Sequence, residues 1–148
     1  MEAIILVGIQ GSGKTTFFKE QFFETHIRLN LDMLRTRHRE RLLFQACLDA
    51  KAKVVVDNTN TLRTERERYI MAARQAQFRI VGYYFVPDVQ GCLRRNATRP
   101  GTASIPEKAI LGTKKQIQEP SFDEGFDELY HVEILPDSSA FQVRKIEQ

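Results

Sequence analysis

The run Ala3-Ile4-Ile5-Leu6-Val7, followed at once by Gly8-Ile9-Gln10-Gly11-Ser12-Gly13-Lys14-Thr15, constrains this chain more than any other stretch. Five apolar residues end in a glycine-rich loop with the spacing G-x-x-x-x-G-K-[ST]. A buried strand aims such a loop at one edge of a sheet. Its glycines let successive backbone N–H groups curl around phosphate oxygens without Cβ clashes. Residues 14–23 contain no Gly or Pro, so a helix follows and presents its positive N-terminus to the same anion. Gly8, Gln10, Gly11, Ser12, Gly13, Lys14, Thr15 and Thr16 therefore form a predicted phosphate cradle for a nucleoside triphosphate. Lys14 adds a point charge for the β- and γ-phosphates, and the Thr15 hydroxyl can ligate Mg²⁺.

The rest of the chain alternates strands with helices. His26–Asn30 reads as a short strand, and a single long helix is expected from Leu31 onward, with apolar positions at Leu34, Leu42, Leu43, Ala46 and Ala50. Lys53–Asp57 is apolar on consecutive residues, as a strand buried on both faces should be. Thr61 is placed to cap a helix to about Gln75, with Leu62, Tyr69, Ile70 and Ala73 on one side. Phe78–Val86 is a further strand, and Asp88 is placed to cap the helix after it, to about Thr98. Pro106 suits a first helical position for a helix from Glu107 to Gln118. Tyr130–Leu135 and Phe141–Ile146 are strand candidates. This order implies an α/β fold, a parallel sheet with helices on both faces, and ligands at the carboxyl ends of its strands. Gly8–Thr15, Asn30–Asp32, Asp57–Asn60 and the helix leading to Arg99 all lie at such ends, so four separated stretches are expected to meet around one phosphate site.

Phosphoryl transfer needs charge neutralisation and a group that accepts the nucleophile's proton. Asp32, just past a strand end, is the candidate base, and a plain N-cap is its alternative. Asp57 ends an apolar strand and is the candidate for supporting Mg²⁺, the alternative being the start of an Asx turn. Arg35 lies three residues after Asp32, one turn along the expected helix, where it can bind an acceptor phosphate. Arg95 and Arg99 are spaced i, i+4 and lead into a loop with two prolines, as in a lid that carries arginines over a triphosphate. For each arginine the alternative is a solvated surface charge. Arg94 points elsewhere on the helix, and no role follows for the histidines.

Composition limits the alternatives. The 148 residues suffice for one domain, and no apolar run approaches the ~20 residues of a membrane-spanning helix. The start of the chain lacks the basic flank of a signal peptide, and Cys47 and Cys92 have no metal or redox spacing. A cytoplasmic or nuclear location with reduced thiols is expected. The net charge of +3 permits a nucleic-acid partner. Arginines concentrate in residues 35–41, 63–68 and 94–99, whereas the C-terminal part is acidic.

The ordered set of motifs resembles the kinase module of polynucleotide 5′-hydroxyl kinases. The resemblance rests on residues 8–17, Asn30-Leu31-Asp32-Met33-Leu34-Arg35, Val54-Val55-Val56-Asp57-Asn58-Thr59-Asn60, Arg94–Arg99, Ile105-Pro106 and the tail Pro120-Ser121-Phe122-Asp123-Glu124-Gly125-Phe126. It implies a kinase-type P-loop NTPase fold of three layers with a mainly parallel sheet and a small helical lid at about residues 92–106, all within one domain, 1–148. It further implies ATP and Mg²⁺ as cofactors and a 5′-hydroxyl end of DNA or RNA as partner. By the same resemblance Asp32 matches the general base and Arg35 an acceptor-phosphate ligand. Arg95 and Arg99 match lid arginines, and Asn58 and Asn60 fall in the substrate-side turn. Leu31 departs from the arginine often found there. No Asp-x-Asp-x-Thr pattern of a phosphatase domain is present. Two further readings stay open: a kinase of a small hydroxyl acceptor, and a nucleotide-binding switch without transfer.

Overall fold

Alternation along the first strand decides the layering. In the computed structural model, which describes residues 1–98 and 105–148, β1 (Glu2–Val7) buries Ala3, Ile5 and Val7 in one cluster and Ile4 and Leu6 in another. Helices α3 (Arg37–Asp49) and α4 (Arg63–Gln75) cover the first face through Phe44, Cys47, Leu48, Tyr69, Ile70 and Ala73. Helix α1 (Lys14–Gln21) covers the second with Phe17 and Phe18, joined by Phe22 just beyond it. Each fully buried side chain of this size stabilises the fold by about 1.5–3 kcal/mol, so a sheet packed on both faces holds the phosphate loop on a rigid base.

The remaining elements are β2 (Ile27–Leu29), α2 (Leu31–Leu34), β3 (Val54–Asp57), β4 (Arg79–Phe85), α5 (Val89–Ala97), α6 (Glu107–Gln116), β5 (Glu128–Ile134) and β6 (Phe141–Lys145). The six-stranded sheet runs β2-β3-β1-β4-β5-β6. All neighbours are parallel except β5 and β6, which form an antiparallel edge pair. This is the three-layer α/β fold with a mostly parallel sheet. Helices α5 and α6 pack on the loop side of the molecule, where Ile9, Cys92 and Ile110 form a small core of their own.

Several local expectations are corrected. The single helix after Leu31 is two, because Arg35 turns into the left-handed region (φ 78°) and Thr36 starts α3 by accepting from the Arg39 amide. The buried face of α3 is Glu40, Phe44, Cys47 and Leu48, while Leu42 and Leu43 are exposed. Leu62, not Thr61, stands at the N-cap of α4, and the Gln118 side chain accepts from the Arg63 amide there. Pro106 stands at the N-cap of α6 rather than inside it. Asp88 does cap α5, accepting from the Gly91 amide. No helix among the described residues is long and apolar enough to cross a membrane.

Candidate active site

The phosphate loop is held open by backbone geometry that only glycine adopts cheaply. Gly11 (φ 78°) and Gly13 (φ 94°) are left-handed. A Cβ on Gly11 would lie 2.8 Å from the Cys92 carbonyl oxygen, and one on Gly13 would lie 3.1 Å from the Phe141 ring. Helix α5 therefore rests on one side of the loop and β6 on another. Gly13 is the N-cap of α1, so the free N–H groups of that helix face the loop interior. The Lys14 ammonium donates to the carbonyls of Gly8 (2.9 Å) and Ile9 (2.8 Å). Its charge is thus pinned inside the cradle. The buried Oε1 of Gln10 has no hydrogen-bond partner among the described residues, which leaves an amide end in the loop for a ligand to satisfy.

Asp57 ends β3 directly across from Thr15. Its Oδ2 accepts from the Thr15 hydroxyl (2.9 Å) and from Arg28 Nε (2.8 Å), and the residue is 2% exposed. A hydroxyl and a carboxylate side by side at the phosphate loop form an oxygen donor set that suits Mg²⁺, which takes one or two carboxylates and fills its shell with phosphates and water. Among the described residues no group of three or more His, Cys, Asp or Glu side chains forms a protein-only cage. Arg28 went unnoticed in the sequence. The available signal was strand alternation, which puts it on the same side of β2 as Asn30.

Asp32 and its alternative role as a cap separate cleanly. Asn30 is the N-cap of α2: its Oδ1 accepts from the Met33 amide (3.0 Å) and its Nδ2 donates to the Asp57 carbonyl (2.6 Å). Asp32 is thereby spared from capping and lines the cleft, which measures about 350 Å³ and includes Lys14, Thr15, Thr16, Asp57 and Asn58. Asn58 locks the same corner, accepting from the Leu31 amide (2.8 Å) and donating to Glu40 (2.7 Å). Four separated stretches were expected at this cleft. Three of them line it, and the fourth, α5, stands behind the loop.

Other expected site residues take different positions. Asn60 is 1% exposed, with its Nδ2 on the Leu6 carbonyl (2.8 Å), so it fastens the turn to β1 and offers nothing to a substrate. Arg35 does not lie one turn along from Asp32, because its backbone ends α2. Arg37 lines the cleft in its place. It is oriented by Glu40 (2.9 Å) and the Tyr69 hydroxyl (2.9 Å), and Tyr69 in turn donates to Glu40 (2.6 Å). Burial, then the bond to Glu40, pushes the Tyr69 hydroxyl well above its ordinary pKa, so it stays a neutral donor. Arg95 Nε donates to the Gly11 carbonyl (2.6 Å), which ties α5 to the outside of the loop. Arg94 is exposed, and Arg99 lies outside the described residues. Both cysteines are free and buried, and burial raises both thiols.

Known proteins resemble the chain in family and in fold. The family model AAA_33, described as an AAA domain, matches residues 4–120. A bifunctional polynucleotide phosphatase/kinase of Schizosaccharomyces pombe is 28% identical over 138 residues, which is 88% of this chain and 33% of that protein. The chain thus spans about one third of the length of this curated relative. Chaetomium thermophilum Kti12, solved with ADP-AlF3, superposes with a TM-score of 0.68 at 15% identity, over 92% of this chain and 91% of that one. The Mycobacterium tuberculosis APS kinase CysC, solved with AMPPNP and APS, gives 0.60 at 17% identity, over 93% and 90%. The two structures share the fold.

Proposed function

The chain belongs to the AAA domain family, and from that premise we propose that it is an ATP-dependent kinase acting on the 5′-hydroxyl end of a nucleic-acid strand. The observation that carries the reading is Asp32, a carboxylate relieved of capping by Asn30 and lining the same cleft as Lys14 and Thr15. A nucleotide-binding switch has no use for a carboxylate placed there. The identity with the polynucleotide phosphatase/kinase supports this acceptor, though it covers a third of that protein. The exposed arginines 35, 37, 39 and 41 beyond Asp32 also suit the phosphates of a strand.

In this reading residues 1–148 act as one kinase domain; the lid expected at about 92–106 lies in part, residues 99–104, outside the described residues. The Lys14 ammonium and the N-terminus of α1 hold the triphosphate. Thr15 and Asp57 would hold Mg²⁺, which when bound supplies neutralisation of phosphate charge. Asp32 takes the proton of the attacking hydroxyl as the new P–O bond forms and the bond to the leaving ADP breaks. Arg37, fixed by Glu40 and Tyr69, orients a phosphate of the acceptor.

The test is transfer of labelled γ-phosphate from ATP and Mg²⁺ to a 5′-hydroxyl oligonucleotide, beside a 5′-phosphorylated control. Label on the first alone is expected. No label on either, with nucleotide binding intact, would overturn the nucleic-acid acceptor and favour a small hydroxyl compound. Binding without transfer to any acceptor would favour a switch.

A further inference from the structure

We propose that Arg28 is a built-in competitor for the metal at Asp57, so that a divalent cation enters only by displacing its guanidinium. The inference rests on reading the cleft as a magnesium–nucleotide site and is independent of the acceptor. Arg28 Nε donates to Asp57 Oδ2 at 2.8 Å, and its Nη2 lies 3.3 Å from Thr15 Oγ1. These are the two oxygens that suit Mg²⁺ in the donor set described above. A guanidinium and a divalent cation repel each other at such range, and both are drawn to one buried carboxylate.

The surroundings give the displaced side chain somewhere to go. Arg28 is 26% exposed at its side chain. It borders a second cavity, of about 330 Å³, lined also by Phe18, Lys19, Phe23, His26 and Met33. Thr15 lines both this cavity and the cleft that holds Asp57. The Phe18 ring already lies 5.9 Å from the guanidinium carbon and can keep the cation as a π partner when Asp57 is surrendered. Lys19 on the same wall limits how far a second cation is welcome there. The arrangement makes Arg28 a positioning residue. It holds Asp57 in place, and it raises the threshold for bare metal while a cation already bound to a triphosphate brings its own compensation.

The experiment is titration of Mg²⁺ into the full chain with saturating ADP, read by calorimetry, for wild type, Arg28→Gln and Arg28→Lys. Arg28→Gln is expected to tighten the apparent Mg²⁺ dissociation constant by about tenfold, and Arg28→Lys to change it less than threefold. Unchanged or weaker Mg²⁺ binding in Arg28→Gln, with wild type binding Mg²⁺–ADP normally, would overturn the proposal. Wild type that binds no Mg²⁺–ADP would overturn the site reading beneath it. A readout free of folding effects is the Arg28 Nε–H resonance of the wild-type chain. It should move on addition of Mg²⁺ with ADP and stay in place with ADP alone, and a resonance unmoved by Mg²⁺ would likewise overturn the displacement.

Discussion

Arg66 and Arg28 each hold a buried carboxylate, and they do so in opposite ways. Arg66 is fully buried and grips Glu124 with two parallel bonds, Nε to Oε1 at 2.8 Å and Nη2 to Oε2 at 2.9 Å. Its remaining nitrogen donates to the carbonyls of Asn60 and Thr61, and Glu124 also accepts from the Ser121 amide. Every direction is satisfied, and the pair welds the turn after β3 to the segment before β5. Arg28 touches one oxygen of Asp57, shares it with Thr15, and keeps a quarter of its side chain in solvent. The first pair is closed on all sides and can only be broken. The second is open on one side and can be exchanged. Burial of charge therefore marks structure in one place and chemistry in the other, and the satisfaction of the remaining donors distinguishes them.

The sharpest way to break the comparison is Arg66→Gln. It leaves Glu124 buried without its cation and should cost about 3–5 kcal/mol, a fall in Tm of about 10 °C measurable by scanning calorimetry. An unchanged Tm would show that the closed pair is not structural. Asp32→Asn should do the reverse: turnover falls by about 10²–10⁴ in a single-turnover assay while Tm stays put, because Asp32 is an exposed residue on the cleft wall. Arg28→Gln should cost less stability than Arg66→Gln, about 1.5–3 kcal/mol, since Asp57 keeps its Thr15 bond; equal losses in urea unfolding would erase the distinction. Asn30→Ala removes the cap of α2 and should cost about 1 kcal/mol, with turnover falling as the Asp32 turn loosens. Arg35→Ala should change stability by less than about 0.5 kcal/mol. It should also leave the salt dependence of oligonucleotide binding unaltered; a weaker dependence would return the acceptor contact from Arg37 to Arg35.

What could be read from the chain was what physics keeps local. The phosphate loop, the buried strands on either side of it and Asp57 at a strand end announce themselves within a dozen residues of sequence. The break at Arg35 did not, because no Gly or Pro marks it and the signal was a capping Thr36 inside an otherwise helical run. Arg28, Glu40 and Arg66 were missed for another reason. Each takes its meaning from partners 18 to 58 residues away, Arg28 from Asp57, Glu40 from Tyr69 and Asn58, Arg66 from Glu124. A charged residue in an amphipathic pattern reads as solvent-facing until the fold supplies the counter-charge that lets it be buried. Asn60 misled in the same way: it shares a turn with Asn58, but its side chain returns to β1.

The contact of Phe141 beneath Gly13 also sets an order of events. During synthesis, the strand, loop and helix of the phosphate cradle leave the ribosome ahead of Asp32 and Asp57, and all of these precede β6. Yet the ring that braces the loop from below belongs to β6, which pairs with β5 and also meets Phe17 of α1 at 5.2 Å. A nascent chain therefore carries Lys14, Thr15, Asp32 and Asp57 before Ile134 and Phe141, the two side chains nearest Gly13, have both been added. The packing around Gly13 is complete only with residue 141, so this loop is braced late although it is made early.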